Sequence, residues 1–599
     1  MKASLTAALA AALLVPAGAR AQAGAYFQQG VDYRIEARLD EATNVLHGRA
    51  RLRYVNRSRA TLDTLWFHQH LNAFRPNSGW ARRELQFNQR RFQDLGPEDH
   101  AFERFTAITV GGRAARAVYP LAPDSTVAGI PLPRRLAPGD SVTVVMDWDA
   151  RLATVPRRQG RRGRHYDFAQ WYPRIAVYDR TGWAKQQLLP QGEFYGEFAT
   201  YDVTLDLAAD QVIGATGIAM EGDPGYEVTA ADRAVYPRAT GAPLQLLTGQ
   251  PANGRKRVRF HAENVHHFAW SIDPRYQHDR VTRMEVSEAR QGARALPTIH
   301  VLYLPEDTSW ANNVAARRTY DALTWLGGKL SPYPWPQLTN LHRLDTGGTE
   351  FPMVIMDGSA AEGLIVHETA HQWAHGILGN NEWREGWVDE GMASFLTNWY
   401  MEEVRNDTAV WLNTMRSLER LERSDSVQPI ATAAADFVDF RIYNAMTYTK
   451  PSAVLRMLRE HLGRPTMERV LREYARRYQF KHVTGEDLRR TAEQVSGQQL
   501  GWFWDQWIRR TDRLDYSVAS ATSRRLASGR WSTTVVVQRA GDAWMPVTVR
   551  VGDVTRRLSA RARRQTLVVT SATKPAEVMI DPQWILIDID RANNRAPVQ

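Results

Sequence analysis

The stretch His367-Glu368-Thr369-Ala370-His371 constrains this chain more than any other part of its sequence. Two histidines four residues apart on a helix project from one face, so both imidazoles can bind the same metal ion. Glu368 lies beside them, where it can polarise a water on that metal. Glu390 follows nineteen residues after His371, and two histidines with a glutamate form a known catalytic zinc set with an open fourth position. The alternative is a surface helix that carries the pattern by chance.

The residues around this motif favour a helix. Ser359 and Glu362 have the spacing of a capping box, which predicts that a helix begins just ahead of the two histidines. Apolar residues give this helix one buried side, and Gly376 and Gly379 can end it. Ligand type and number then predict one Zn²⁺ per chain.

The first 21 residues have the pattern of a secretory signal peptide. Lys2 precedes an apolar run from Leu5 to Val15, and Ala19-Arg20-Ala21 matches a cleavage site. This run is too short to span a bilayer, and no later stretch reaches the roughly 18 apolar residues that a membrane helix needs. We therefore expect an exported protein, periplasmic or extracellular, with no integral membrane segment in its mature form.

Composition excludes several kinds of chemistry. None of the 599 residues is a cysteine, so disulfides, thiolate metal ligands and a thiol nucleophile are excluded. The net charge of +11 is spread along the chain, except for a dense basic run from Arg157 to Arg164. A solvated loop is the favoured interpretation of that run, and binding to nucleic acid or an anionic surface is the alternative. We expect no nucleic-acid partner.

Sequence periodicity divides the mature chain into three parts, as expected for a length well beyond one ordinary domain. Residues 22–292 alternate apolar and polar side chains between turn signals, which predicts a large antiparallel β-domain. His68 and His70 lie on one strand face there, and packing is favoured over a second metal site. Residues 293–514 contain mostly helical patterns around the motif, and residues 515–599 return to β-patterns that suit a small sandwich.

Local signals predict several element boundaries. Ser309 to Leu326 has a helical pattern that Gly327 and Gly328 should close. Asp581-Pro582 should turn the chain into a last strand from Trp584 to Ile589. Further helices are predicted over residues 408–422, 451–462, 465–478 and 485–495.

The zinc motif also carries a family resemblance. The motif, the eighteen residues after it, and Glu390 in a W-x-x-E-G setting resemble the aminopeptidase N family of gluzincins, the thermolysin-like zinc aminopeptidases. The resemblance implies a multidomain α+β fold with an N-terminal antiparallel β saddle domain, a thermolysin-like α/β catalytic domain and a small C-terminal β-sandwich. It also implies that Zn²⁺ is held by His367, His371 and Glu390, with Glu368 as the catalytic base.

A glycine-rich segment precedes the zinc motif. Gly347, Gly348 and Glu350 lie in a string that resembles the family's exopeptidase motif, in which an edge strand binds the peptide and a glutamate pairs with the substrate's free ammonium. By residue type alone, a turn is the favoured interpretation. Its position seventeen residues before His367, together with the resemblance, favours the motif.

Two more residues are carried over from the resemblance. Tyr448 stands where the family has a tyrosine whose hydroxyl points at the scissile carbonyl, and Tyr443 is the nearby alternative. Gln170 stands where relatives have a glutamine-containing loop that reaches the active site. Many relatives have a glutamate two residues later that binds the substrate amine, and here that residue is Tyr172.

Taken together, these residues predict a zinc-dependent aminopeptidase that releases N-terminal residues from peptides. One alternative is a zinc peptidase without a strict requirement for a free N-terminus. A further alternative is an inactive homologue that binds peptides. A comparison of free and N-acetylated peptides distinguishes the first two hypotheses.

Overall fold

The computed structural model describes residues 26–236, 251–282 and 297–599, together with residues 244, 247 and 249. The expected leader, residues 1–21, lies outside these described residues, so export stays a prediction. The chain forms a multidomain α+β protein with an N-terminal sheet domain, a central region that contains most helices, and a C-terminal pair of sheets. Within the described ranges, no helix is both long enough and apolar enough to cross a bilayer.

The N-terminal domain consists mainly of strands in which apolar and polar side chains alternate, as the sequence predicts. Its strands are β1 (Gly30–Asp40), β2 (Val45–Val55), β3 (Leu62–His68), β4 (Phe102–Val110), β5 (Arg113–Ala114), β6 (Val127–Leu136), β7 (Ser141–Arg151), β8 (Gly160–Arg162), β9 (His165–Phe168), β10 (Arg174–Ile175), β11 (Tyr178–Asp179), β12 (Gly182–Trp183), β13 (Ala199–Ala208), β14 (Val212–Ala215), β15 (Ile218–Glu221), β16 (Arg255–Val265) and β17 (Trp270–Asp273). Two short helices accompany them, α1 (Gly79–Gln86) and α2 (Ala230–Arg233).

The largest sheet of this domain has eight strands in the order β15-β16-β13-β1-β2-β7-β4-β5. Its neighbouring strands are antiparallel except for β1 and β13, which run parallel. Tyr33, Ile35 and Leu39 on β1 all face the core, because successive side chains on a strand point to opposite faces. A second sheet has the order β14-β17-β9-β8, and its strand β8 lies within the basic run.

The central region surrounds a five-stranded sheet with helices. The strands of the central region, of which the first five form this sheet, are β18 (Gln277–Val281), β19 (Thr298–Tyr303), β20 (Gln337–His342), β21 (Gly348–Thr349), β22 (Val354–Asp357), β23 (Leu378–Asn380) and β24 (Lys481–Val483). Its helices are α3 (Val314–Lys329), α4 (Glu362–His371), α5 (Glu382–Glu385), α6 (Glu390–Val404), α7 (Ala409–Glu422), α8 (Phe440–Asn444), α9 (Lys450–Leu462), α10 (Arg464–Tyr478), α11 (Gly485–Ser496) and α12 (Gly501–Trp504).

The five strands run in the order β18-β19-β20-β22-β21, with β21 as an antiparallel edge strand. The first of these strands, Gln277–Val281, precedes the predicted domain boundary at residue 293, so the central sheet begins earlier in the chain than its helical periodicity indicates. Helix α4 lies behind the edge strand and packs against α6. This packing brings the zinc motif, the glycine-rich segment and Glu390 to one place.

Helix α3 differs from its prediction at both ends. It begins at Val314 and continues through Gly327 and Gly328 to Lys329, whereas the sequence predicted Ser309 to Leu326. Side-chain bonds hold the preceding segment outside the helix, because Ser309 donates to Asp307 at 2.6 Å. At the other end, Lys329 is paired with Glu468 at 2.9 Å. Tertiary pairing therefore outweighs the low helix propensity of the two glycines.

The capping box predicted for α4 is wrong, although the helix begins where expected. Its N-cap is Ala361, which makes no side-chain capping bond. Ser359 Oγ instead accepts a bond from the N–H of Ala361 at 3.4 Å. The carboxylate of Glu362 accepts from the hydroxyl of Tyr400 at 3.1 Å and pairs with Arg405. Glu362 thus fastens α4 to α6 rather than closing its own helix end.

The C-terminal domain contains two sheets, as expected of a small sandwich. Its strands are β25 (Tyr516–Arg525), β26 (Trp531–Arg539), β27 (Val547–Val551), β28 (Val554–Leu558), β29 (Arg564–Ser571), β30 (Glu577–Ile580) and β31 (Arg595–Pro597). The predicted strand from Trp584 to Ile589 is wrong. Asp581 accepts bonds from the N–H groups of Ile585 and Leu586 at 3.0 and 2.8 Å, which curls this segment away from an extended conformation.

Candidate metal centre

His367, His371 and Glu390 converge where α4 packs against the start of α6. The Nε2 atoms of both histidines lie 3.1 Å from Glu390 Oε2, and they lie 3.2 Å from each other. Three ligands placed about 2.0–2.2 Å from one zinc ion, at corners of a tetrahedron, have separations of this size. The donor set therefore fits Zn²⁺, and the structure brings together the three residues that the sequence predicts as ligands.

Asp389 supports this set from behind. Its Oδ1 atom lies 2.5 Å from Nδ1 of His371, so the imidazole presents Nε2 toward the ligand cluster. Burial opposes charge on Glu390, but the positive charge of His371 and the hydrogen bonds to His367 and His371 together outweigh it and lower the pKa of Glu390 to about 2. This role of Asp389 was not predicted from the sequence, although an acidic residue directly before a predicted ligand was the available signal.

Glu368 is buried beside the ligands and faces the edge strand. Its Oε2 atom has no hydrogen-bond partner within the described part of the chain. Burial raises the pKa of Glu368 well above its ordinary value, and the positive charge of His371 acts in the opposite direction. A Cβ atom at Gly348 would lie only 2.1 Å from the Glu368 carboxyl group, so any other residue there would displace this carboxyl group from its position.

The glycine-rich segment forms the edge strand that the resemblance implies. β21 pairs antiparallel with β22, and Gly347 before it has a φ of +75°, a conformation that favours glycine. Glu350 directly after β21 is buried, and its Oε1 atom has no partner within the described ranges. Burial raises the pKa of Glu350 to about 7. Phe351, which follows Glu350, packs against Phe194 with the ring centroids 5.7 Å apart.

Tyr448 reaches the ligand cluster, as the sequence predicts. It lies in a π-helical turn, Ala445–Thr449, and its hydroxyl donates to Glu390 Oε1 at 2.5 Å. The hydroxyl of the alternative residue, Tyr443, instead accepts a bond from the N–H of Gly192 at 3.1 Å. Both rings border the cavity, but only Tyr448 contacts a predicted metal ligand.

A cavity of about 310 Å³ opens over this centre. Its acidic side chains are Glu193, Glu350, Glu368 and Glu390, its cations are Arg157, Arg158 and Arg343, and its apolar or aromatic groups are Pro190, Leu364, Phe440, Tyr443 and Tyr448. Gly347 and Gly348 border it through their backbone. The cavity therefore combines the metal ligands, a buried carboxylate beside them and an exposed strand edge.

Comparisons with known proteins agree with this geometry. Residues 354–507 match the model of the peptidase family M1 domain. This matched segment contains the zinc motif and Glu390, and it is similar to the aminopeptidase N family of zinc metallopeptidases. Among its relatives, it is 25% identical to the puromycin-sensitive aminopeptidase of Caenorhabditis elegans over 226 residues, which are 34% of this chain and 23% of that protein.

A second aminopeptidase matches at a similar level. The chain is 25% identical to aminopeptidase N of Lactococcus lactis over 166 residues, which are 26% of this chain and 19% of that protein. The chain thus spans less than a quarter of the length of these curated relatives.

Two solved structures share the fold. An M1 zinc metallopeptidase from Deinococcus radiodurans superposes with a TM-score of 0.56 at 16% identity and covers 81% of this chain and 95% of its own. Legionella pneumophila aminopeptidase A, solved with aspartic acid, superposes with a TM-score of 0.64 at 13% identity and covers 94% of this chain and 59% of its own.

Gln170 does not reach the cavity as the family resemblance implied. It is buried, and its Oε1 lies 3.1 Å from Nδ1 of His70. Tyr172 points away as well, since its hydroxyl donates to that of Tyr201 at 2.8 Å. His68 stacks on His70 with ring centroids 4.4 Å apart. This pair is packed in the domain core, and it belongs to none of the metal-capable clusters found among the described residues.

A second Gln-x-Glu string reaches the cavity through its glutamate. Gln191-Gly192-Glu193 precedes β13, and Glu193 borders the cavity together with Glu350. One carboxylate oxygen each from Glu193, Glu350 and Glu390 lies within 4.8 Å of the others. The family resemblance placed this loop at Gln170, whereas the later Gln-x-Glu was not predicted as part of the site.

The basic run is not uniformly a solvated loop. Only 9% of the Arg158 side chain is exposed, and its guanidinium forms an ion pair with the buried carboxylate of Glu193. Arg164 at the far end of the run does fit the expectation: it is partly exposed and pairs with Glu41 and Asp210. The charge pattern alone could not separate these two arginines.

His266, His267 and His375 form another group with ring nitrogens within 4.8 Å of one another. The guanidinium of Arg174 lies directly against His267, and Arg174 is itself fully buried. A fixed positive charge at that position opposes a bound metal cation. The ligand set that faces the cavity therefore remains the candidate metal centre.

Proposed function

We propose that this protein is a zinc-dependent aminopeptidase that removes N-terminal residues from peptides, with one Zn²⁺ per chain. The observation that carries the proposal is the position of Glu350 and Glu193. These two buried carboxylates border the cavity, and one oxygen of each lies within 4.8 Å of the ligand Glu390. A peptide whose carbonyl reaches the metal ligands would thus have its amino terminus beside two acidic groups.

The metal would be held by His367, His371 and Glu390, with Asp389 fixing the orientation of His371. A zinc ion bound there supplies Lewis acidity, which polarises a carbonyl and makes water a better nucleophile at neutral pH. By its resemblance to the aminopeptidase N family, the chain would use Glu368 as the general base. Its unpartnered Oε2 atom is available to accept the proton of water and to pass it to the leaving amine.

Tyr448 has a position from which it can stabilise an oxyanion. Its hydroxyl donates to Glu390 Oε1 in the described structure, so its proton is directed toward the ligand cluster. A hydrogen bond from this hydroxyl to the oxygen of a tetrahedral intermediate would be strongest where negative charge develops. Tyr443 is less suited to this role, because its hydroxyl already binds the backbone of Gly192.

Glu350 and Glu193 would bind the free ammonium group of the substrate. These two carboxylates lie close together with Arg158 as their shared cation, and burial raises their pKa values to about 7 and about 8 in spite of it. An ammonium group placed between them offsets their mutual repulsion through charge-assisted hydrogen bonds. An N-acetylated peptide lacks that positive charge, so an exopeptidase would discriminate against it.

The test uses one peptide with a free amino terminus and its N-acetylated form, assayed with zinc-replete protein. The wild-type protein should hydrolyse the free peptide with a much larger kcat/KM. Glu350→Ala should reduce kcat/KM for the free peptide about 10²-fold or more, since one side of a buried charged pair is lost. It should leave the zinc content unchanged, because Glu350 is not a ligand.

The outcome against the proposal is an unchanged ratio of free to acetylated turnover in Glu350→Ala. The function would then be that of a zinc peptidase without a strict requirement for a free N-terminus. For localisation, we propose export, on the basis of the leader-like pattern of residues 1–21. Mass spectrometry of protein from the producing cells tests this, with a mature terminus at Gln22 as the expected result and an intact Met1 as the contradicting one.

A further inference from the structure

Arg158 is held in the cavity by an unusual backbone conformation. Its φ is +60°, in the left-handed region that few residues other than glycine adopt. The N–H of Arg157 donates to the carbonyl of Gln159 at 2.7 Å and closes a tight turn around it. Such conformations persist where the surrounding structure enforces them, and they concentrate at ligand-binding and catalytic sites. The turn directs one arginine of a basic run inward, toward the metal centre.

The guanidinium of Arg158 is buried and only partly satisfied. It pairs with Glu193 and lies over the ring of Phe194, with its Cζ atom 5.1 Å from the ring centroid. Its Nε atom has no hydrogen-bond partner among the described residues. A guanidinium has five N–H donors and can bind two carboxylates at once. Arg158 therefore retains donors for a second anion.

The other two cations of the cavity are differently placed. Arg343 pairs with Asp345 at 3.0 Å, and Arg157 lies 3.8 Å from the same carboxylate. That acid lies outside the amine-binding pair, so a bound substrate leaves these interactions unchanged. Arg158 instead shares Glu193 with the substrate, under the function proposed above. When a bound ammonium group pairs with Glu193, it neutralises part of the negative charge that compensates Arg158. Of the three arginines that line the cavity, Arg158 then has the least compensated positive charge.

We propose that Arg158 binds the side-chain carboxylate of an acidic N-terminal residue, so that the preferred substrates begin with aspartate or glutamate. This inference rests on the proposed aminopeptidase function. In the bound state, the ammonium lies between Glu193 and Glu350, and the side-chain carboxylate lies against Arg158. A neutral side chain leaves the arginine donors without an acceptor, and a basic side chain meets a like charge.

Proximity restricts the selection to the first residue of the substrate. Arg158 contacts Glu193, and an oxygen of Glu193 lies within 4.8 Å of one from Glu350. The residue whose ammonium binds this carboxylate pair is therefore the one whose short side chain can reach the guanidinium. Aspartate and glutamate carry a carboxylate within that reach, while asparagine and glutamine have nearly the same shape without the charge.

The experiment measures kcat/KM for aminoacyl-fluorophore substrates of glutamate, glutamine, aspartate, asparagine and leucine, with zinc-replete protein. In the wild type, the glutamate substrate should exceed the glutamine substrate about 10- to 100-fold, the range of a hydrogen bond to a charged group. Arg158→Met should bring this ratio close to one, while hydrolysis of the leucine substrate persists. Arg158→Lys keeps the positive charge and should retain part of the preference.

Arg164→Met is the matched control, because Arg164 belongs to the same basic run but pairs with Glu41 and Asp210 on the surface. It should keep the wild-type ratio. A ratio of glutamate to glutamine at or below one in the wild type, or an unchanged ratio in Arg158→Met, would overturn the inference. Such results with persistent leucine hydrolysis would leave the aminopeptidase function intact.

A binding measurement separates this inference from the underlying function. Calorimetry with free glutamate and glutamine on zinc-loaded wild-type protein should show tighter binding of glutamate, and Arg158→Met should remove the difference. If none of the five substrates is hydrolysed, the proposed function fails, while the calorimetry still tests whether Arg158 selects a carboxylate. Equal binding of both amino acids by the wild type would count against that selection.

Discussion

The two sides of the cavity are built in contrasting ways. The metal side comes from residues 367–390, on two helices that pack directly together. The amine side combines Arg158 and Glu193 from the N-terminal domain with Glu350 from the central sheet. The metal side therefore depends on local helix geometry, whereas the amine side depends on how two domains meet. Substitutions should affect hydrolysis most on the first side and substrate choice most on the second.

The largest effect is expected on the metal side, from Glu368→Gln. A glutamine keeps the shape but cannot accept a proton, so kcat should fall about 10²- to 10⁴-fold, the usual contribution of a general base. Zinc content by elemental analysis should match that of the wild type. His371→Ala is the contrasting variant, since it removes a ligand and should lose the metal itself. Near-normal turnover in Glu368→Gln would exclude this residue as the base.

An intermediate effect is expected from Tyr448→Phe. The change removes one hydroxyl that points at the ligand cluster, and loss of one oxyanion donor typically costs about 10²- to 10³-fold in kcat. The loss should appear in kcat more than in KM, because the bond forms with the transition state.

Tyr443→Phe provides the matched control for this prediction. It removes a hydroxyl that binds the backbone of Gly192 in the same cavity, and we expect a much smaller change in kcat. Equal losses in the two variants would assign the effect to cavity packing instead of oxyanion stabilisation.

The smallest effect on activity is expected from Gln170→Ala. The sequence placed Gln170 among substrate contacts, but the structure places it against His70 in the domain core. We expect kcat/KM to change less than about threefold and the free energy of unfolding to fall by about 1 kcal/mol, as for one lost buried hydrogen bond. Denaturant unfolding and peptide kinetics on the same preparation check both. A tenfold loss of kcat/KM at unchanged stability would restore Gln170 to the site.

The same contrast explains what the sequence could predict. His367 and His371 follow from helical spacing, because residues four apart lie on one face of a helix, and Glu390 follows from the known zinc ligand set and the family resemblance. The helices α7, α9, α10 and α11 were likewise predicted to within about two residues at each end, since their apolar patterns are long. The start of α3 was misplaced because a side-chain bond from Ser309 to Asp307, invisible to periodicity, competes with the first helical turn.

The amine side was less predictable because its parts are far apart in the sequence. Gln170 and Gln191 are both glutamines in loops of the N-terminal domain, and only the tertiary structure shows which loop reaches the cavity. Arg158 lies in a run of similar arginines, and a left-handed backbone turn selects the one that points inward. A run of charged residues indicates that the segment as a whole is solvated, but it does not show which residue of the run is buried.

The pairing of Arg158 with Glu193 has a consequence for how this protein could change over time. Both residues belong to the N-terminal domain, and neither contributes to metal binding. A substitution in the turn around Arg158 could therefore redirect the protein to another class of peptide while the hydrolytic helices stay as they are. Under the proposed role of Arg158, the choice of the first side chain and the hydrolytic step depend on different domains, and a library confined to residues 157–159 would vary the first while the metal ligands stay unchanged.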